Sequence, residues 1–177
     1  MIRELTAEDS LTELTDLLHR SYAALATDGM RYLASRQSTD MTIERLVDAA
    51  TLVSTDETGA LVGTISVAHP GAPNPYLDFY NRVGNSHFFM FGIDPAHQGL
   101  GLGTMLVERI EQLAIDLGAD ELACDTAEHA HLLIAWYTRL GFVRVGSTDW
   151  DMVDYKSVLL AKQLCTPSTH TITPLRT

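Results

Sequence analysis

The sequence predicts a single α/β domain built on a mixed sheet of about seven strands, with helices on both faces. Its 177 residues are the usual length of one domain and are enough to bury a core. Strand-like apolar runs alternate with stretches that have helical spacing. The predicted order is a strand, two helices and a hairpin, and then strand, helix, strand, helix and two strands. This order is typical of a mixed sheet covered on both sides.

The first half of the chain holds three of the predicted strands. Residues 2–5 form a short strand, and leucines at helical spacing predict a helix over 11–25. A second helix is predicted over 42–50. Two apolar runs, 51–54 and 60–68, flank a polar loop that contains glycine, which predicts a hairpin.

The second half begins after a proline-rich loop over residues 69–76. The pattern then predicts a strand over 86–93, a helix over 104–117, a strand over 121–125, a helix over 126–140, and strands over 142–146 and 155–160. We therefore expect one domain over residues 1–165. A tail over 166–177 has little pattern and is expected to be loosely ordered.

The composition restricts the molecules that this protein is expected to bind. The chain has 12 Lys and Arg against 23 Asp and Glu, a net charge of −11, which argues against nucleic acid and anionic membranes. The excess of acid suits a cationic amine substrate or serves solubility alone. No secretory signal and no apolar run of about eighteen residues is found. Cys124 and Cys165 have no metal-type spacing, so reduced thiols and a cytoplasmic location are expected.

Residues 88–104 carry the strongest functional signal. An apolar strand ends before Pro95, and a glycine-rich turn leads directly into an amphipathic helix. The turn offers backbone N–H groups and the helix adds its partial positive charge, so the segment predicts an anion site. The lack of side chains at Gly99, Gly101 and Gly103 lets a phosphate approach closely. The G-x-G-x-G spacing fits neither a dinucleotide fingerprint nor a Walker loop, and a turn that merely joins strand to helix is the alternative.

Two motifs together resemble the GNAT superfamily of acyl-CoA-dependent N-acyltransferases. Residues 93–103 read IDPAHQGLGLG, which is similar to the family's Gln/Arg-x-x-Gly-x-Gly/Ala after a strand that ends in apolar-x-Pro. Residues 136–142 read WYTRLGF and resemble the family's Phe-Tyr-x-x-x-Gly-Phe segment. The resemblance covers roughly residues 2–164. It implies a mostly antiparallel sheet whose fourth and fifth strands separate near their middle, with the acyl-pantetheine arm in the gap.

The resemblance implies acetyl-CoA as co-substrate. Main-chain groups of Phe91, Gly92 and Ile93 are expected to bind the pantetheine and the thioester carbonyl. The Gln98 side chain is either a coenzyme contact or a brace of the loop. Backbone N–H groups along the turn are expected to hold the pyrophosphate, namely those of Gln98, Gly99, Leu100, Gly101, Leu102, Gly103 and Thr104.

Metal is not expected, because His87, His129 and His131 lack the spacing of a ligand set. In many relatives an asparagine near the coenzyme precedes the motif tyrosine by seven residues. Here Ala130 stands at that position, and His129 is the alternative residue for its contact.

Acyl transfer to an amine needs a proton acceptor for the amine and a proton donor for the leaving thiolate. Tyr137 matches the family's tyrosine and is the candidate acid, although its helical stripe also fits a core aromatic. The fourth strand lacks the glutamate that often serves relatives as base. His87 and Asp125 are the candidates, or a water wire replaces the base. His87 is expected in the ordinary histidine pKa range, and its alternative is an exposed strand-end residue. Asp125 followed by Glu128 also reads as a capping box, which would be a structural use.

The leading expectation is an acetyl-CoA-dependent N-acetyltransferase that acts directly on a primary amine of a small molecule or a protein N-terminus. The alternatives are an acyl-CoA-binding or regulatory module with a degenerate catalytic centre, and a phosphate-binding scaffold without coenzyme. Residues 22–37, the loop over 70–80 and the last hairpin are expected to form the acceptor site. No nucleic-acid or membrane partner is expected, and a homodimer stays open.

Overall fold

The computed structural model describes residues 1–27, 32–151, 153 and 155–164. The strands are β1 (Ile2–Glu4), β2 (Ala49–Thr55), β3 (Leu61–Ala68), β4 (Asn85–Ile93), β5 (Glu121–Ala127), β6 (Val143–Asp149) and β7 (Lys156–Gln163). The α-helices are α1 (Leu11–Thr27), α2 (Thr39–Leu46), α3 (Leu102–Asp116) and α4 (His131–Arg139). The tail over 166–177, Cys165 and residues 28–31 of the expected acceptor segment lie outside the described residues. One domain over 1–165 stays a prediction.

The seven strands form one sheet in the order β1-β2-β3-β4-β5-β7-β6. The β4–β5 pair is parallel, and the other neighbouring pairs are antiparallel. The predicted mixed, mostly antiparallel sheet of about seven strands is therefore confirmed. Within the described residues, no helix combines the length and apolar character that a membrane span would need.

Helices cover both faces of this sheet, as β2 shows. Leu52 belongs to the main apolar cluster, which includes Leu106 and Ile110 of α3. The next residue, Val53, packs instead with Leu14 of α1. Because successive strand side chains point to opposite faces, α1 and α3 lie on opposite sides of the sheet.

The second helix, α2, differs from its predicted range over 42–50. The helix begins earlier because the Ser38 hydroxyl caps it by accepting a hydrogen bond from the Met41 N–H at 3.1 Å. It ends at Leu46 because Ala49 and Ala50 already pair with β3 in the sheet. The predicted C-terminal end of this helix is therefore wrong.

The start of α4 is a second correction. The helix begins at His131 and not at residue 126, because Thr126 and Ala127 continue β5 and pair with β7. Asp125 consequently lies inside a strand and cannot cap a helix. The capping-box interpretation of Asp125 is wrong, since the ladder with β7 outweighs a local capping signal.

Pairing between β4 and β5 ends early. It covers Asn85↔Glu121, Ser86↔Leu122 and His87↔Ala123, and beyond this point the two strands part. Further along β4, Met90 has a φ of 46° and the register against β3 shifts by one residue, which is a β-bulge. The expected separation of the fourth and fifth strands is therefore present, and it opens a gap in the middle of the sheet.

Candidate active site

The glycine-rich turn follows a path that requires glycine at two positions. Gly99 and Gly101 have φ values of 75° and 84°, in the left-handed region that glycine adopts without strain. A Cβ atom added at either position would meet no atom within 4 Å, so the turn faces open space. Gly103 lies in the first turn of α3, where an added Cβ would pack 3.4 Å from Phe91 and 3.6 Å from Trp136.

This turn presents unpaired donors. The helix ladder of α3 begins with the Met105 N–H, which donates to the Gly101 carbonyl at 3.1 Å. In the described part of the chain, the backbone N–H groups of residues 99–104 donate no hydrogen bond. Free N–H groups at a helix N-terminus attract anions. The arrangement suits a pyrophosphate, and binding by these groups stays a prediction.

The Gln98 side chain braces the loop. Its amide Nε2 donates to the Ile93 carbonyl at 3.1 Å, which ties the turn to the end of β4. Asp94 strengthens the same corner, because its carboxylate accepts from the Ala96 N–H at 3.0 Å and from Arg20 Nε at 3.0 Å. Of the two sequence-based alternatives for Gln98, the structure shows the brace.

A cavity of about 390 Å³ lies in front of the turn, and we call it the turn cavity. The Phe91 and Trp136 rings form one wall, stacked 5.8 Å apart and 7° from parallel. Leu100 and Leu102, two of the predicted coenzyme residues, do not line it. The lining includes the other eight, namely Phe91, Gly92, Ile93, Gln98, Gly99, Gly101, Gly103 and Thr104.

A second cavity, of about 480 Å³, opens on the other side of the gap. We call it the aromatic cavity, because Tyr32, Tyr80, Phe89, Trp150 and Tyr155 line it. Its lining includes residues of segment 22–37, of the proline-rich loop and of the last hairpin, the three segments predicted to form the acceptor site. The turn cavity and the aromatic cavity share four lining residues, namely Tyr22, Phe91, Leu133 and Tyr137. The two cavities therefore meet where β4 and β5 part.

Tyr137 stands at this meeting point. Its ring packs in the core, 5.7 Å from the rings of both Phe88 and Phe142. Among the described residues its hydroxyl has no hydrogen-bond partner, and the residue lines both cavities. Burial raises the pKa of this phenol well above its usual value, so it stays protonated at neutral pH. The ring is a core aromatic, as one alternative held, but the core leaves its hydroxyl unused.

Asp125 projects from β5 into the aromatic cavity. Its carboxylate accepts hydrogen bonds from the Tyr80 hydroxyl at 3.1 Å and from the Trp150 indole N–H at 3.0 Å. Burial raises the pKa of this carboxyl above its usual value. Each carboxylate oxygen of Asp125 accepts one hydrogen bond and keeps a free lone pair. This arrangement suits a base or an anchor for an amine.

His87 lies under the aromatic cavity rather than at an exposed strand end. Its ring stacks on Tyr80 at 3.9 Å and 8°. Burial, aided by the charge of Arg45, lowers the pKa of His87 to about 4. The ordinary pKa range expected from the sequence is wrong, and a neutral imidazole of this kind is a weak proton acceptor at pH 7.

The position of the family asparagine lies outside the lining of both cavities. Ala130 is buried, and His129 is exposed and lines neither cavity. The alternative in which His129 replaces the asparagine is therefore not supported by its placement.

The sequence did not single out two polar residues of this site. The Tyr22 hydroxyl donates to the Phe91 carbonyl at 2.6 Å, so one lone pair of the carbonyl predicted to bind the coenzyme is already in use. Arg45 of α2 enters the aromatic cavity. Tyr22 belongs to the apolar stripe of α1 and Arg45 resembles any helical surface arginine, so no local signal marked either residue.

Comparison with known proteins agrees with this geometry. Residues 11–142 match the model of the acetyltransferase (GNAT) family. A curated relative, the S-(2-succino)cysteine N-acetyltransferase of Bacillus subtilis (strain 168), is 28% identical over 164 residues, which are 90% of this chain and 94% of that protein.

Solved structures share the fold. The ribosomal-protein-S18-alanine N-acetyltransferase from Escherichia coli superposes with a TM-score of 0.70 at 15% identity, over 96% of this chain and 97% of that one. An aminoglycoside 6'-N-acetyltransferase complexed with coenzyme A gives a TM-score of 0.66 at 16% identity, over 94% of this chain and 98% of that one.

The pKa of His87 predicts a pH dependence of stability. Between pH 6.5 and about 4 the unfolded chain protonates this histidine and the folded protein does not, so stability falls as the pH is lowered. His87→Phe keeps a ring against Tyr80 and removes the titration. At pH 4.5 we expect the variant to lose about 2 kcal/mol less stability, relative to pH 7, than the wild type. Urea unfolding at both pH values measures this, and equal losses in the two proteins would refute the burial of a neutral His87.

Proposed function

Because the chain belongs to the GNAT acetyltransferase family, it is an acetyl-CoA-dependent N-acetyltransferase, and we propose that it transfers the acetyl group directly to the primary amine of a small molecule. The observation that carries this proposal is the meeting of two cavities at Tyr137. One cavity offers anion-binding donors, and the other is a largely aromatic space for an acceptor. Direct transfer needs both substrates in one site, where proximity supplies much of the rate.

The coenzyme belongs in the turn cavity in this proposal. The protein carries a net charge of −11, and among the residues that the structure describes no Lys or Arg lines that cavity. Attraction for the pyrophosphate therefore falls to the free N–H groups of the turn and to the N-terminal end of α3. The pantetheine arm would follow β4 from Ile93 toward Phe91, with the thioester beside Tyr137. Main-chain groups of Phe91 to Ile93 are the candidates to bind its carbonyl oxygen.

The acceptor belongs in the aromatic cavity. In the proposed reaction the amine nitrogen bonds to the acetyl carbon while the carbon–sulfur bond breaks. Tyr137 gives its proton to the leaving sulfur, and Asp125 or water takes the proton that the amine loses. Both Asp125 and His87 line this cavity. Asp125 is the first candidate, because burial raises the pKa of its carboxyl, whereas burial lowers the pKa of His87 to about 4.

A small-molecule acceptor is favoured over a protein N-terminus. The aromatic cavity has a volume of about 480 Å³, within the range of small-molecule sites. The name of the Bacillus subtilis relative gives a substituted cysteine as its acceptor. S-substituted cysteines are therefore the first compounds in the acceptor panel. We also propose a cytoplasmic location, with which the free, buried thiol of Cys124 is compatible.

Coenzyme binding at the turn is tested by two substitutions of Gly101. Asn and Asp have nearly the same size, and both tolerate the φ of 84° better than most residues. Only Asp adds a negative charge where the pyrophosphate should lie. We expect Gly101→Asp to bind acetyl-CoA about tenfold or more weakly than Gly101→Asn by calorimetry.

Loss of folding does not confound this comparison, because a carboxylate near a helix N-terminus is favourable for the helix. Gly101→Asp should therefore unfold at the same temperature as Gly101→Asn or at a higher one. Equal affinities of the two variants for acetyl-CoA would place the pyrophosphate elsewhere.

Proton donation by Tyr137 is tested by Tyr137→Phe. The substitution keeps the ring in the core and removes a hydroxyl that has no partner among the described residues. We expect turnover to fall by roughly 10²–10⁴-fold while acetyl-CoA affinity and melting temperature change little. Rapid-quench or thiol-release kinetics measures the step. Near-normal turnover in the folded variant would remove Tyr137 from the mechanism and leave a water-mediated proton path.

A further inference from the structure

Arg45 is a cation in the aromatic cavity, and no residue that the structure describes forms an ion pair with it. Its guanidinium donates from Nη1 to the Gln37 side-chain oxygen at 2.8 Å and lies 5.2 Å from the centre of the Phe89 ring. Across the described ranges, no carboxylate lies within ion-pair distance of Arg45, whereas Arg3 and Arg20 each pair with one. A guanidinium has five N–H donors, so most of its hydrogen-bonding capacity is unused.

The burial of Arg45 makes this arrangement costly in the empty protein. Desolvation lowers the pKa of Arg45, which means that the surroundings disfavour its charge. A partly buried charge is normally retained where a partner offsets the cost. Gln37 fixes the guanidinium in place, since its amide also donates to the Thr42 hydroxyl at 2.7 Å. The side chain is therefore held in place although no described carboxylate of the cavity pairs with it.

The same cavity contains a negative charge that Arg45 does not neutralise. Asp125 accepts its two hydrogen bonds from the neutral donors Tyr80 and Trp150, and no ion pair links it to Arg45. The Arg45 charge nevertheless acts on the pKa values of His87 and Asp125, so it lies near both. The cavity thus offers a cation and a carboxylate at separate places. Glu44 and Asp48, both exposed, add negative charge to its lining.

From this placement we infer that the acceptor is an amino acid, whose carboxylate binds Arg45 and whose amine lies toward Asp125. A planar guanidinium matches a carboxylate through two parallel hydrogen bonds. The ammonium group would be attracted to Asp125, which is also a candidate to take its proton. The aromatic walls at Tyr80 and Trp150 would cover the acceptor's side chain. This inference rests on the proposed function and specifies its acceptor.

The test compares acceptors that differ in one group. The panel contains the twenty standard amino acids, S-carboxymethylcysteine and S-(2-succino)cysteine. The best acceptor is then compared with its α-carboxamide and with the amine that lacks the α-carboxylate, using thiol release from acetyl-CoA. We expect the wild type to prefer the amino acid by about 10²-fold or more in kcat/KM, because the analogues leave Arg45 unpaired.

Arg45→Gln should abolish this preference. The variant should raise KM for the amino acid and lower its kcat/KM far more than that for the two analogues, a pattern that general damage to the fold would not give. Arg45→Lys keeps the charge and should recover part of the preference. Arg82→Gln is the matched control, because Arg82 also lies over an aromatic ring, Phe79 at 5.0 Å, but lines neither cavity.

The outcomes separate the two proposals. Wild-type protein that acetylates the decarboxylated amine as well as the amino acid overturns this inference and leaves the proposed function standing. An unchanged preference in Arg45→Gln overturns it as well. If no compound of this panel is acetylated, the proposed function is decided by a panel of other primary amines, and calorimetry of amino-acid binding to the coenzyme A-saturated protein decides the inference separately. Binding that requires both the carboxylate and Arg45 supports it, and the absence of such binding overturns it.

Discussion

The early end of the parallel pairing between β4 and β5 is the constraint on which the rest of the site depends. Pairing stops at His87 and Ala123. A bulge then follows at Met90, whose φ of 46° lies in the left-handed region. This conformation costs about 1 kcal/mol for a residue other than glycine. The Met90 side chain is 3% exposed, and its sulfur accepts from the Gln37 amide at 3.6 Å. Core packing thus holds a strand conformation that an isolated strand would avoid.

The gap determines which polar groups are free to act. In a continuous sheet the edges of β4 and β5 would pair with each other. Here the gap leaves room for Tyr137, Asp125 and the Phe91 carbonyl to line cavities instead of a closed core. Charge is divided in the same way. The described lining of the turn cavity has main-chain donors and no Lys or Arg, whereas the aromatic cavity holds Arg45 and Asp125. An acidic protein can therefore attract a polyanionic coenzyme on one side and an amine on the other.

The sequence predicted the parts of the molecule that depend on local pattern. The strand, glycine turn and helix over residues 88–104 form a recognisable unit because strained φ values demand glycine at fixed places. The errors arose where contacts between residues distant in sequence decide the structure. A capping signal at Asp125 lost to seven residues of ladder with β7, and the pKa of His87 depends on burial and on the charge of Arg45, which lies far from it in sequence. Arg45 and Tyr22 acquire their roles from the bulge and the gap, which no local spacing encodes.

The central claim is that the two cavities form one continuous reaction site at Tyr137. Its most direct test is the affinity of a bisubstrate adduct, in which an acetyl linker joins the sulfur of coenzyme A to the amine of the acceptor. One molecule that fills both cavities should bind about 10²-fold or more tightly than coenzyme A alone in calorimetry, because the second contact becomes intramolecular. An adduct that binds no more tightly than coenzyme A would contradict the account, since its acceptor end would then lie outside the aromatic cavity.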